Sequence, residues 1–151
     1  MSDPIFDSRS VRHDLPYLFA GQAQKEGYVN EALARIDALL HMTVEDAADS
    51  PPAGAVDGQC WLVGSAASGA WSGHSGQIAG LSSGNWMFFS PRDGMRVLNR
   101  ATGQEIRFAG GWQLPTRPAL PTGGQTVDEQ ARAAISAIVA CLTEAGLLPA
   151  A

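Results

Sequence analysis

Clusters of basic residues are missing from this chain. Its Lys and Arg residues number 10 in 151, lie scattered, and leave a net charge of -5. The concentrated positive charge that binds phosphate backbones is therefore absent, and nucleic acid is not an expected partner. No apolar run reaches the ~18 residues that a membrane span needs, so no membrane is expected either. The opening MSDPIFDSRSVRHDLP carries an early acid and no apolar core. It does not read as a secretory signal, and synthesis and assembly are expected in the cytoplasm. Cysteine is limited to Cys60, in a strand-like run, and Cys141, in a helix-like one, with no metal-ligand spacing. Both are expected to be buried free thiols.

Catalytic signatures are scarce as well. No G-x-S-x-G elbow, P-loop or G-x-G-x-x-G cradle occurs. His13, His41 and His74 are too scattered to make a metal site, and His74, in the turn-like WSGHSG, is expected to bond to backbone groups. Asp93 and Glu105 flank a hairpin, but no further acids or implied cleft make them a glycosidase pair. Neither an enzyme nor a cofactor nor a metal is expected.

What is present begins with LPYLFAGQAQKEGYVNEALARIDALLHM, the longest stretch with a single apolar period. Val29, Leu33, Ile36 and Leu40 step by helical intervals along one narrow stripe. Gln24, Lys25, Glu26, Asn30, Glu31, Arg35 and Asp37 occupy the other faces, and the helix is expected over residues ~22–42. So thin a stripe is the kind of seam along which helices pair with another subunit. An amphipathic helix docked on its own domain is the other reading, and both stay open. The surrounding organisation is an arm at 1–14, the helical segment 15–45, and a linker at 46–58, DAADSPPAGAVDG.

From Gln59 the period becomes two and glycine supplies the punctuation. QCWLVG, the end of GAWSGHSGQIAGL, and NWMFFSP read as strands. Met95 to Asn99 and Glu105 to Phe108 read as a hairpin around Ala101-Thr102-Gly103-Gln104, with Val97 and Leu98 against Ile106 and Phe108. About five strands in 59–113 predict a small antiparallel sheet or partly open barrel, and the whole chain an α+β fold. Trp71, Trp86 and Trp112 each follow a small residue. They either close a core short of aliphatic bulk or, with His74, form a platform for a glycan.

Residues 114–125, rich in Pro and Gly, read as an extended linker. Thr126-Val127-Asp128-Glu129 then forms a capping-box pattern at the start of a C-terminal helix, 126–148, that Gly146 ends. Val127, Ala131, Ala134, Ile138 and Leu142 share a stripe widened by Ile135, Val139 and Cys141. No charge falls between Ala133 and Leu142. Most of that circumference requires cover, and a second copy of the chain is the expected cover.

The segments AGQAQKEGYVNEALARIDALL, DGQCWLVG, GAWSGHSGQIA, NWMFFSPRDGMRV and GGW resemble domain-of-unknown-function family 2793, found in prophages and gene transfer agents of alphaproteobacteria. The resemblance spans roughly residues 13–113 and is most recognisable at Gly21, Gln22, Gln24, Lys25, Asn30, Glu31, Asp37, Trp71, Gly73, His74, Trp86 and Pro91. It implies a virion structural protein associated with head spikes or tail fibres, with no catalytic residues to carry over. The expectation is a homo-oligomeric spike base or fibre-attachment subunit of a phage or gene transfer agent particle. Val29, Leu33, Ile36, Leu40, Val127, Ala131, Ile135, Ile138 and Leu142 would mediate assembly. Capsid vertex, tail or fibre proteins would be its neighbours. A module binding capsule or cell-surface polysaccharide through Trp71, His74, Trp86 and Trp112 is the alternative.

Overall fold

The computed structural model describes residue 17 and residues 25–124 and 127–149. The expected arm 1–14 lies outside the described residues, as does Thr126. The fold is α+β, with helices toward both ends and open sheets between them rather than a closed barrel. The chain divides into two compact units, Met1–Pro91 and Arg92–Ala151. The boundary therefore falls inside the stretch read as one β domain.

In the first unit, α1 spans Glu26–Leu39 and ends where Leu40 turns extended, its N–H still bonded to the Ile36 carbonyl at 2.9 Å. The chain continues through β1 (Thr43–Val44), β2 (Ala47–Ala48), β3 (Cys60–Val63), β4 (Ile78–Ser82) and β5 (Asn85–Phe89). The last four form a sheet in the order β2-β3-β4-β5. β2 lies in the segment read as linker and runs parallel to β3, pairing Ala47 with Leu62, whereas the other pairs are antiparallel. No crossover helix is needed, because the loop from Asp49 to Gln59 carries the chain back. Asp49 fixes that loop: its carboxylate accepts from the Ala66 N–H at 3.1 Å and its carbonyl from the Ser68 N–H at 2.8 Å. A Cβ at Gly64 would collide with the same carboxylate, which explains glycine there.

Strand alternation gives this sheet two different faces. The register Cys60–Gly80–Met87 and Leu62–Ile78–Phe89 puts one set of side chains toward α1. Trp61, Ala79 and Phe88 line the other face, and Trp71 folds over it from a 3-10 turn at Gly69–Trp71. There Trp61, Trp71 and Trp86 pack with centroids 5.0–6.3 Å apart. Small residues, among them Ala48, Ala55, Ala67 and Ala79, fill the space around the rings. A chain poor in large aliphatic side chains thus obtains a core from indoles.

The second unit holds β6 (Arg96–Asn99), β7 (Gln104–Phe108), β8 (Trp112–Gln113) and α2 (Glu129–Glu144). Val97 pairs with Ile106 as expected, and both are fully buried. Leu98 instead lies opposite Glu105 and is exposed, while Phe108 pairs with Trp112. Odd spacing explains the difference, since neighbours along a strand point to opposite faces. The hairpin loop is tied by Asn99, whose Oδ1 accepts from the Ala101 N–H at 2.9 Å.

α2 starts two residues later than a Thr126 cap would give. Asp128 is the cap, and its Oδ1 accepts from the Ala131 N–H at 2.9 Å. Aspartate caps as well as threonine does, and here it stands nearer the helical run. Gly146 terminates the helix as expected, at φ +71°. Its N–H reaches the Thr143 carbonyl and that of Leu147 the Leu142 carbonyl, the Schellman pattern. This last turn also docks on the hairpin, because the Glu105 N–H donates to the Gly146 carbonyl at 2.6 Å.

Candidate functional site

The helices are the most informative surfaces, because neither turns its apolar stripe fully inward. On α1 the buried residues are Asn30, Ala34 and Asp37. Each follows a stripe residue by one position, so the inward line is turned about 100° from the stripe. Ala34 and Asp37 face Cys60, Gly80, Ser82 and Phe89. Within the sheet, a Cβ on Gly80 would sit 3.2 Å from both Cys60 Sγ and a Phe89 ring carbon, so this floor is tightly filled by its own strands. Small and compact polar residues fit against that floor, and the bulkier stripe does not. Val29, Ile36 and Leu40 are consequently exposed, Ile36 by 48%, and Leu33 is half-buried. Arg35 clamps Glu31 across one helical turn, with contacts of 2.8 and 3.0 Å.

Tyr17 is buried in the same unit. Burial pushes its hydroxyl above the ordinary value of 10.0, the nearby Asp37 charge adds to the rise, and a hydrogen bond with Ser82 offsets part of it.

α2 is barer still. Val139 is its one buried residue, and Ile135 and Ile138 are exposed by 43% and 58%. Val127, expected on the same helical stripe, instead precedes the Asp128 cap, outside the helix, and is exposed by 52%. Ala131 is exposed and Leu142 half-buried. Cys141 is exposed too, contrary to the buried thiol expected, while Cys60 is buried; both are free. Arg132 is drawn off the helix toward the preceding segment, where it donates to the Pro121 carbonyl at 3.0 Å and to that of Gly123. That contact leaves the outward face of α2 free of positive charge.

The aromatic candidates separate. Trp71 is completely buried, so it offers no ring face to a sugar. Its Nε1 meets no acceptor among the described residues. Trp86 and Trp112 are half-buried, the latter edge-on to Phe108 with centroids 5.2 Å apart. His74 stacks face to face on Phe88, centroids 3.5 Å apart, and its Nδ1 lies 2.9 Å from Gln77 Oε1. Its side chain thus bonds to a side chain; only its backbone makes the turn, N–H to the Trp71 carbonyl at 3.0 Å. Asp93 accepts from the Gly110 N–H at 2.8 Å and Glu105 pairs with Arg96 at 3.2 Å, so each carboxylate has a structural task. Among the described residues no three His, Cys, Asp or Glu side chains gather as a metal site, and no helix is long and apolar enough to cross a membrane.

Sequence reasoning did not find a groove of about 490 Å³ in the second unit. Leu142, Leu147 and Leu148 from the end of α2 border it, with Arg96, Glu105 and Arg107 from the sheet. The signal available was the C-terminal Leu147-Leu148 pair, which carries no period.

Fold and surfaces together define a small α+β protein of two units, each pairing an open sheet with a helix whose apolar residues stand partly uncovered. The chain belongs to DUF2793, a family of proteins of unknown function, whose sequence profile matches residues 29–113. The matched stretch takes in most of α1 and every strand through β8; α2 lies beyond it. No curated protein matches the chain.

Proposed function

We propose that this chain is a homo-oligomeric structural component of a phage or gene transfer agent particle, a head-spike base or fibre-attachment subunit without catalytic chemistry. The observation that carries the reading is α2, a 16-residue helix with one buried residue and an apolar outer face. Such a helix is held by its own caps and requires a partner surface. The particle setting is supported by the resemblance to a family found in prophages and gene transfer agents.

Magnitudes say how much surface assembly would need. Covering the exposed half of a Val or Ile contributes about 1 kcal/mol. Ile135 and Ile138 of α2, with Val127 just ahead of its cap, would from two copies give about 6 kcal/mol, near the lower end of the roughly 4–15 kcal/mol that association costs. A pair of α2 helices alone is marginal, so a second contact between copies is part of this reading. The α1 stripe of Val29, Leu33, Ile36 and Leu40 is one surface suited to it. Capsid vertex, tail or fibre proteins are the proposed neighbours. A polysaccharide-binding role would now rest on Trp86, Trp112 and His74, without Trp71.

Protein composition of purified particles tests the setting. The chain is expected there at a fixed copy number, and particles made without its gene are expected to lack a spike or fibre. Its absence from intact particles would refute the role.

A further inference from the structure

We propose that the groove in the second unit receives the acidic, apolar opening of a second copy, the segment Asp3-Pro4-Ile5-Phe6-Asp7. This rests on the assembly reading above and names the second contact it requires.

The groove has two chemically distinct borders. Leu142, Leu147 and Leu148 supply an apolar one, suited to Ile5 and Phe6. Arg96 and Arg107 supply a basic one, neighbours on adjacent strands in register. Arg96 already bonds to Glu105 at 3.2 Å, whereas the Arg107 guanidinium is exposed and meets no acceptor among the described residues. The border therefore carries one uncompensated positive charge on a chain whose net charge is -5. A planar guanidinium beside apolar surface recognises a carboxylate flanked by apolar side chains. The opening segment has that composition, with an acid on each side of Pro-Ile-Phe. Its Pro4 also limits the backbone freedom lost on binding.

Continuity favours a second copy as the source. Leu142 borders the groove and also belongs to the α2 stripe that the partner is proposed to cover. One partner could therefore engage both, adding a charge-assisted contact to an otherwise marginal helix pair. The groove volume of about 490 Å³ falls within the roughly 300–1,000 Å³ typical of specific sites.

A charge swap in the full chain, read as the concentration at which the oligomer half-dissociates in sedimentation equilibrium, tests this. Arg107→Glu is expected to raise that concentration about tenfold or more, as are Asp3→Arg and Asp7→Arg individually. Combining Arg107→Glu with one of the aspartate changes is expected to restore it, which a folding defect would not do. Unmoved midpoints in a wild-type oligomer, or loss that neither combination rescues, would overturn the groove proposal and leave the assembly reading standing. A wild-type chain that is monomeric at every concentration would overturn both.

Discussion

The two units use the same parts to different ends. Met1–Pro91 sets α1 against its sheet along Asn30, Ala34 and Asp37, and closes the far face with three indoles. Arg92–Ala151 buries Val97, Ile106, Val139 and Leu148, but only the C-terminal part of α2 takes part. The first helix is held by packing, and the second largely by its own ends. Asp128 and the Gly146 turn satisfy backbone groups that would otherwise fray. A helix stabilised locally can keep a face uncovered, which is what an assembly surface requires.

The largest expected effect probes the indole core. Trp71→Ala removes a fully buried ring and is expected to lower stability by about 3–5 kcal/mol, read by denaturant melts. Trp112→Ala, at a half-buried position, is expected to cost less than half as much. Equal losses would erase the contrast between the two cores. Gly146→Ala comes next, at about 1–2 kcal/mol, because a side chain would be forced into left-handed backbone. Its Cβ would also lie 3.4 Å from the Gly103 carbonyl oxygen. The expected sign is fraying of residues 139–148 in amide exchange.

Asp128→Ala should cost about 1 kcal/mol, with lost protection confined to the start of α2. If that change unfolds the first unit as well, the two are not independent in their stabilisation. The smallest effect concerns alkaline pH and Tyr17. Its hydroxyl titrates higher in the folded chain than in the unfolded one, so between the two values the unfolded chain binds fewer protons. The associated stability is complete below the unfolded value of 10.0 and is lost as pH rises through the folded one. Tyr17→Phe should flatten that alkaline decline, and a slope unchanged by the substitution would remove Tyr17 as its source.

Much of the architecture was legible from period and punctuation. The helix around Val29–Leu40, the strand at Cys60–Val63, the Val97–Ile106 pair and the Gly146 stop all follow from local rules. Which face of α1 points inward did not. A period of 3.6 reveals that a stripe exists, but the line that turns inward is the one facing Cys60, Gly80 and Phe89, residues distant in the chain. β2 went unread because two alanines in a Pro-rich segment carry no alternation. Thr126 and Glu129 also match a capping pair in sequence, so local pattern alone does not single out Asp128 as the cap. Spacing placed the candidate assembly residues on stripes along the two helices, but not which of those positions are exposed. The groove was not legible either, since it arises where the end of α2 meets β6 and β7, segments distant in sequence that come together only on folding.

Solution mass tests the central claim, that the bare helix faces belong against another copy of the chain. Light scattering at micromolar concentration is expected to give a multiple of 15.8 kDa. Ile138→Asp should reduce it to the monomer value while leaving the unfolding midpoint nearly unchanged, since this side chain is 58% exposed. A wild-type mass of 15.8 kDa at that concentration would contradict the claim.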